Sequence, residues 1–106
     1  MEWIYLLIAG FFEIGFTTFL KLSENFTKLW PTLIFIALSF ISFFALSLSL
    51  RVIPLGTAYA VWTGIGAFGT ALIGILYFGE STDFWRLFFL IGLISCIIGL
   101  KVVTTP

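Results

Sequence analysis

Histidine is absent from this 106-residue sequence, and cysteine occurs once, as Cys96. A single cysteine makes no internal disulfide, and without histidine no zinc site of the usual ligand types can be assembled. Charge is scarce as well. Only 9% of residues are Asp, Glu, Lys or Arg, where a soluble domain carries roughly 25%. Five Lys+Arg against five Asp+Glu leave no net charge and no basic cluster, which excludes a nucleic-acid binder, since phosphates demand such a cluster. Disorder needs low hydrophobicity and high net charge, and the mean hydropathy of +1.23 excludes it. What fills the chain is apolar: 61% of residues are hydrophobic, 20% aromatic, and 14 are Phe. That composition belongs in lipid.

A membrane helix needs about 20 mostly apolar residues, so 106 residues hold four and little else. With the charges as punctuation, the spans are approximately residues 3–20, 30–50, 54–79 and 84–101, in one all-α, four-helix transmembrane domain covering residues 1–106. Trp3, Trp30 and Trp85 lie at span ends, where amphipathic rings favour the headgroup level. A cleaved signal peptide is disfavoured: the first span carries Glu2 instead of a basic start, Glu13 in its middle, and no small-residue cleavage site before Lys21. The runs are continuous, not alternating with period two, which argues against a barrel. Loops of a few residues cannot house a catalytic apparatus, so the chain is expected to act within the bilayer and not as an enzyme.

Four spans put Lys21, Lys28 and Arg86 on one side of the membrane, and Arg51, Lys101 and the terminal amine on the other. Orientation follows the Lys/Arg bias of short loops, and this count is balanced. Insertion in both orientations is the expectation, which permits an antiparallel dimer; the plainer alternative is that one orientation wins on a weak signal.

Nine of the ten charged residues lie at span ends or in links, leaving Glu13 alone inside an apolar stretch. A charge near the bilayer centre costs at least ~2.5–3.5 kcal/mol on insertion scales and is a functional residue by default. The alternative is a protonated Glu that only hydrogen-bonds a neighbouring helix, a task Gln or Ser performs without that cost. Burial of a carboxyl, and a second carboxylate beside it, favour the neutral form. The same oxygens can then hold either a proton or a cation, and competition between the two is the basis of an exchange. No opposite charge lies within any span, so the missing partner is read as a cationic substrate.

At helical spacing Glu13 is flanked by Ala9, Gly10, Phe16 and Thr17. Gly10 permits close approach of a ligand or, equally, of another helix. Phe16 offers a ring and Thr17 a hydroxyl. In the third span Tyr59, Trp62, Thr63 and Gly66 recur at helical spacing. Buried Trp and Tyr need polar partners and present faces that attract cations, so they are candidates to complete a box around a cation held by Glu13. Trp62 is about 12 Å into the span at 1.5 Å per residue, too deep for an interfacial anchor. Gly64, Gly66 and Gly69 mark either a hinge, centred on Gly64 and Gly66, or close helix packing. Ser42 is the candidate for orienting Glu13 by a hydrogen bond, unless it bonds its own helix backbone. In the fourth span Gly92, Ser95, Cys96 and Gly99 form a small-residue face suited to dimer packing; Cys96 is read there as a packing residue and not as a reactive thiol.

Four short spans, a lone Glu in the first, Lys21-Leu22-Ser23 after it, and Gly56-Thr57-Ala58-Tyr59-Ala60-Val61-Trp62 in the third closely resemble the small multidrug resistance family of proton-coupled cation exporters. The resemblance covers essentially the whole chain. It implies an antiparallel dual-topology homodimer in the inner membrane, protons as coupling ion with no other cofactor, and Glu13 of both subunits as the shared proton and substrate site. Tyr59 and Trp62 match family binding-site positions. Thr63-Gly64-Ile65-Gly66-Ala67, Gly79-Glu80-Ser81, Ile98-Gly99-Leu100-Lys101 and Ser42 resemble the guanidinium exporter branch, which usually has Trp where this chain has Phe16. Thr17-Thr18 and the run Glu24-Asn25-Phe26-Thr27-Lys28-Leu29-Trp30-Pro31 look more like the quaternary ammonium branch.

Three functions follow as expectations: proton-coupled export of guanidinium or small related cations, broad efflux of hydrophobic aromatic or quaternary ammonium cations, and a non-transporting partner subunit of a heterodimer. Paired subunits should carry opposite charge biases, whereas this chain is balanced, which favours a homodimer and the first two.

Overall fold

An apolar run of about 20 residues closes all its backbone hydrogen bonds only as a helix when no water is present to satisfy them. In the computed structural model, which describes residues 1–104, four such helices form: α1 (Glu2–Leu22), α2 (Leu29–Ser49), α3 (Leu55–Tyr77) and α4 (Phe84–Val103). Each is long and apolar enough to cross a membrane.

The helices overrun or fall short of the apolar runs for local reasons. α1 takes in Glu2 in its first turn and Lys21 in its last, where the helix dipole favours an acid and a base respectively. Beyond it, Glu24, Asn25 and Phe26 adopt positive φ, and the buried Ser23 hydroxyl donates to the Leu20 carbonyl and accepts the Phe26 amide. α2 carries Pro31 within its first turn, where its missing N–H breaks no ladder bond. α3 stops at Tyr77, not at Gly79. Gly79, at φ +67°, takes the left-handed conformation that ends helices, and the Glu80 amide turns back to the Gly74 carbonyl. The Glu80 carboxylate then lies over Gly74, where a side chain would displace it, and accepts from Arg86 of α4 at 2.6 Å. Both partners are partly exposed, so the pair pins the α3–α4 link more than it stabilises the fold.

α1 is the central helix, packed along both α2 and α3; α4 packs on α3, and α2 and α3 scarcely meet. The chain forms a slab of 43 × 35 × 17 Å, less than two helices thick at a helix diameter of about 10–12 Å. Its core is correspondingly small: Leu6 and Ala9 of α1, Ala45 of α2, Ala58, Val61 and Trp62 of α3, with Ile53 and Ile97. Only Ile97 of α4 is buried. The many exposed Phe, Leu and Ile residues are what a lipid-facing surface requires.

Candidate functional site

The seam between α1 and α3 is built from glycines that receive the other helix's side chains. Gly10 lies against Ile65, Gly69 receives Ile14, and Gly66 receives Glu13. One turn further, the Thr17 and Thr70 hydroxyls meet at 2.6 Å. A Cβ on Gly66 would fall on the Glu13 carboxyl carbon and Oε1; Glu13 therefore lies directly on the α3 backbone. Its Oε1 is buried and has no hydrogen-bond partner among the described residues. Buried polar atoms are almost always paired, and an oxygen left open in the middle of a membrane span is the feature of this molecule that asks for a ligand.

Ser42 does not bond Glu13, nor its own helix. Fully buried on α2, it donates to the Ala9 carbonyl of α1 at 2.7 Å and accepts the Trp62 indole N–H of α3 at 3.0 Å. One hydroxyl thus ties three helices, and the residue it orients is Trp62. The link to Glu13 is indirect: in a regular helix the Ala9 carbonyl is the acceptor for the Glu13 amide. Replacement of Ser42 by Ala leaves the indole without its acceptor. Interhelical bonds within membranes average ~0.6 kcal/mol and reach ~1.7, so losing two is expected to lower stability by about 1–2 kcal/mol. Thermal unfolding in detergent reads this directly, and Ser42→Thr, which keeps the hydroxyl, should restore most of the loss. An unchanged midpoint for Ser42→Ala would show that the network carries no weight.

A row of neighbouring aromatic rings links α1, α2 and α3. Phe16 lies edge-on to Phe35 at 5.9 Å and stacks on Phe43 at 6.2 Å. Phe43 in turn meets Trp62 at 5.2 Å, and Trp62 meets Tyr59 at 5.8 Å. Trp62 is buried and Tyr59 exposed. Phe16, Tyr59 and Trp62 are therefore brought together, and Phe43 joins them. Nothing distinguishes Phe43 in a sequence with 14 Phe except its place directly after Ser42.

The hydroxyls fare differently. Thr63 donates to the Tyr59 carbonyl of its own helix, and Thr17 is engaged by Thr70 and by the Glu13 and Ile14 carbonyls. Thr17 serves the seam, and Thr63 its own helix turn. α3 runs unbroken through Gly64 and Gly66, and each has a close neighbour: Ile97 of α4 for Gly64, Glu13 for Gly66. On α4, Gly92, Ser95, Cys96 and Gly99 are all exposed, and no atom lies within 4 Å of where a side chain on Gly92 or Gly99 would begin. The Ser95 hydroxyl returns to the Ile91 carbonyl.

The chain as a whole has known relatives. The family model for the Small Multidrug Resistance protein matches residues 1–94. A protein named guanidinium exporter from Citrobacter freundii is 50% identical over 104 residues, covering 98% of this chain and 99% of its own length. One of the same name from Proteus vulgaris is 48% identical over 101 residues, 95% of this chain and 97% of the relative. Matches of this length and identity settle the kinship: the chain is a multi-pass inner-membrane protein that belongs to the small multidrug resistance family.

Proposed function

We propose that the chain, a single four-helix domain, works as an antiparallel homodimer that exports guanidinium and related small organic cations in exchange for protons. The observation that carries this reading is the buried, unpartnered Glu13 oxygen on the α1–α3 seam. A cation reaching that oxygen satisfies it, and a proton does the same, so the two exclude each other. Trp62, held by Ser42, and Tyr59 beside it offer the ring faces that a cation prefers. Glu13 of both subunits forms the shared site, with Gly10, Phe16, Thr17, Ser42, Tyr59, Trp62 and Thr63 around it. Bending of α3 at Gly64 and Gly66 exchanges the two openings. The unpartnered face of Gly92, Ser95, Cys96 and Gly99 supplies the dimer contact.

Guanidinium is favoured as substrate by the relatives' names and nearly full-length identity. The row of Phe16, Phe35 and Phe43 favours a second reading, in which larger hydrophobic cations are also exported. Proton-driven uptake into liposomes separates the two. Guanidinium is expected to move, and its apparent affinity to weaken as pH falls, because protonation removes the counter-charge. A tetraalkylammonium ion that moves while guanidinium does not would overturn the first reading.

A further inference from the structure

On the side of α3 facing α4, a groove of about 210 Å³ runs between α1, α3 and α4. Its wall comprises Leu7, Ile65, Ile94 and Ile98, and at one end stand Trp3 and Lys101. The volume is below the ~300–1,000 Å³ of pockets that take drug-sized ligands; a slender chain fits where a fused ring does not. Leu7 and Ile98 are 56% and 59% exposed, so the groove is open along its length.

The Lys101 ammonium lies 5.1 Å from the centre of the Trp3 ring, and among the described residues it has no carboxylate partner. Glu2, the acid next to Trp3, is turned to the terminal amine at 4.0 Å. Lys101 is in the last turn of α4 and Trp3 in the first turn of α1, so both sit where the helices leave the hydrocarbon. A lysine at that level extends its stem along apolar surface and its charge toward the headgroups. An apolar trough with one uncompensated cation at its headgroup end is complementary to an amphiphilic anion.

We propose that the groove is a binding site for an anionic phospholipid, with one acyl chain along Leu7, Ile65, Ile94 and Ile98 and the lipid phosphate on the Lys101 ammonium. The competing occupant is a second copy of the chain. At 100° per residue, the centre of Ile94, Ile98 and Lys101 lies about 140° around α4 from the centre of Gly92, Ser95, Cys96 and Gly99, with Ile98 the nearest to that face at about 60° from Ser95. A copy seated on the small-residue face therefore leaves the groove to lipid; the proposal leans on the dimer reading for this exclusion alone.

Native mass spectrometry of the purified protein, exchanged into phosphatidylglycerol or phosphatidylcholine, reads retained lipid and oligomeric state together. Wild type should retain phosphatidylglycerol about fivefold better, the ratio equivalent to the ~1 kcal/mol that one lysine contributes near an anionic surface. Lys101→Gln should bring the ratio to about one, and Ile98→Trp, which fills the trough, should reduce retention of both lipids without changing the oligomeric state. Lys28→Gln is the control, since Lys28 lies outside the groove and is paired with Glu24 at 2.7 Å. Equal retention of the two lipids by wild type, or equal losses in Lys28→Gln and Lys101→Gln, would overturn the proposal. So would a shift from dimer to monomer in Ile98→Trp, which would assign the groove to a second copy. If export failed and lipid retention held, the proposed function alone would fall.

Discussion

Glu13→Gln is expected to abolish proton-coupled transport while leaving the protein folded. Glutamine keeps the length and shape of the side chain and can still lie against Gly66, so the α1–α3 seam is preserved. On the proposed mechanism it removes the charge that attracts a cation and the group that takes up a proton. A hydrogen bond to a charged group contributes about 1.5–3 kcal/mol, so equilibrium affinity for guanidinium should fall roughly 10- to 150-fold. Coupling should vanish completely, since no other carboxylate lies in the interior of a span. Stability should move the other way or not at all, because an acidic residue near the bilayer centre costs ~2.5–3.5 kcal/mol on insertion scales and an amide costs less. Transport in liposomes and thermal unfolding in detergent, measured on the same preparation, separate the two effects. Proton-driven guanidinium uptake at the wild-type rate by the Gln variant would sink the mechanism.

The sequence reads well where one residue carries its own signal. With charges so scarce, each marks a span end, and Glu13 stands out because it is the exception. The small-residue face of α4 is equally plain, since 92, 95, 96 and 99 fall on one side of any helix. What escapes the sequence is pairing between helices. Ser42 invites assignment to Glu13 as the one buried acid in need of a donor, yet helix crossing places it against Ala9 and Trp62. Thr70 gives no sign that it meets Thr17 across 53 positions. The aromatic row has the same limit: Phe16, Phe35, Phe43, Trp62 and Tyr59 come from three helices, and only the packed slab aligns them. The glycines show this most clearly, because a hinge and a close approach call for the same residue, and only the neighbour tells them apart.

For Gly66 the neighbour is Glu13 itself, and Gly66→Ala should therefore cripple binding rather than merely slow exchange. Two effects oppose each other. Alanine favours a helix over glycine by about 1 kcal/mol, which stabilises α3. The added methyl falls on the Glu13 carboxyl group and comes within 2.7 Å of its Cγ. The end of a side chain can swing aside, but a clash at Cγ requires a new rotamer of the whole side chain or a wider gap between α1 and α3. Widening is opposed by the same seam, where Ile65 already fills Gly10 and Ile14 fills Gly69. Overpacking of this kind costs about 1–3 kcal/mol, more than the helix gain. The carboxylate is expected to leave its place on α3, with guanidinium affinity falling roughly tenfold or more, which corresponds to about 1.4 kcal/mol. Equilibrium binding distinguishes the two roles of the glycine. If Gly66 acts only by bending α3, Gly66→Ala will bind guanidinium as wild type does and lose turnover; if it makes room for Glu13, affinity falls with the rate. Gly64→Ala provides the comparison: its methyl meets Ile97 of α4 and not the carboxylate, so it should disturb packing while leaving affinity for the cation close to that of the wild type.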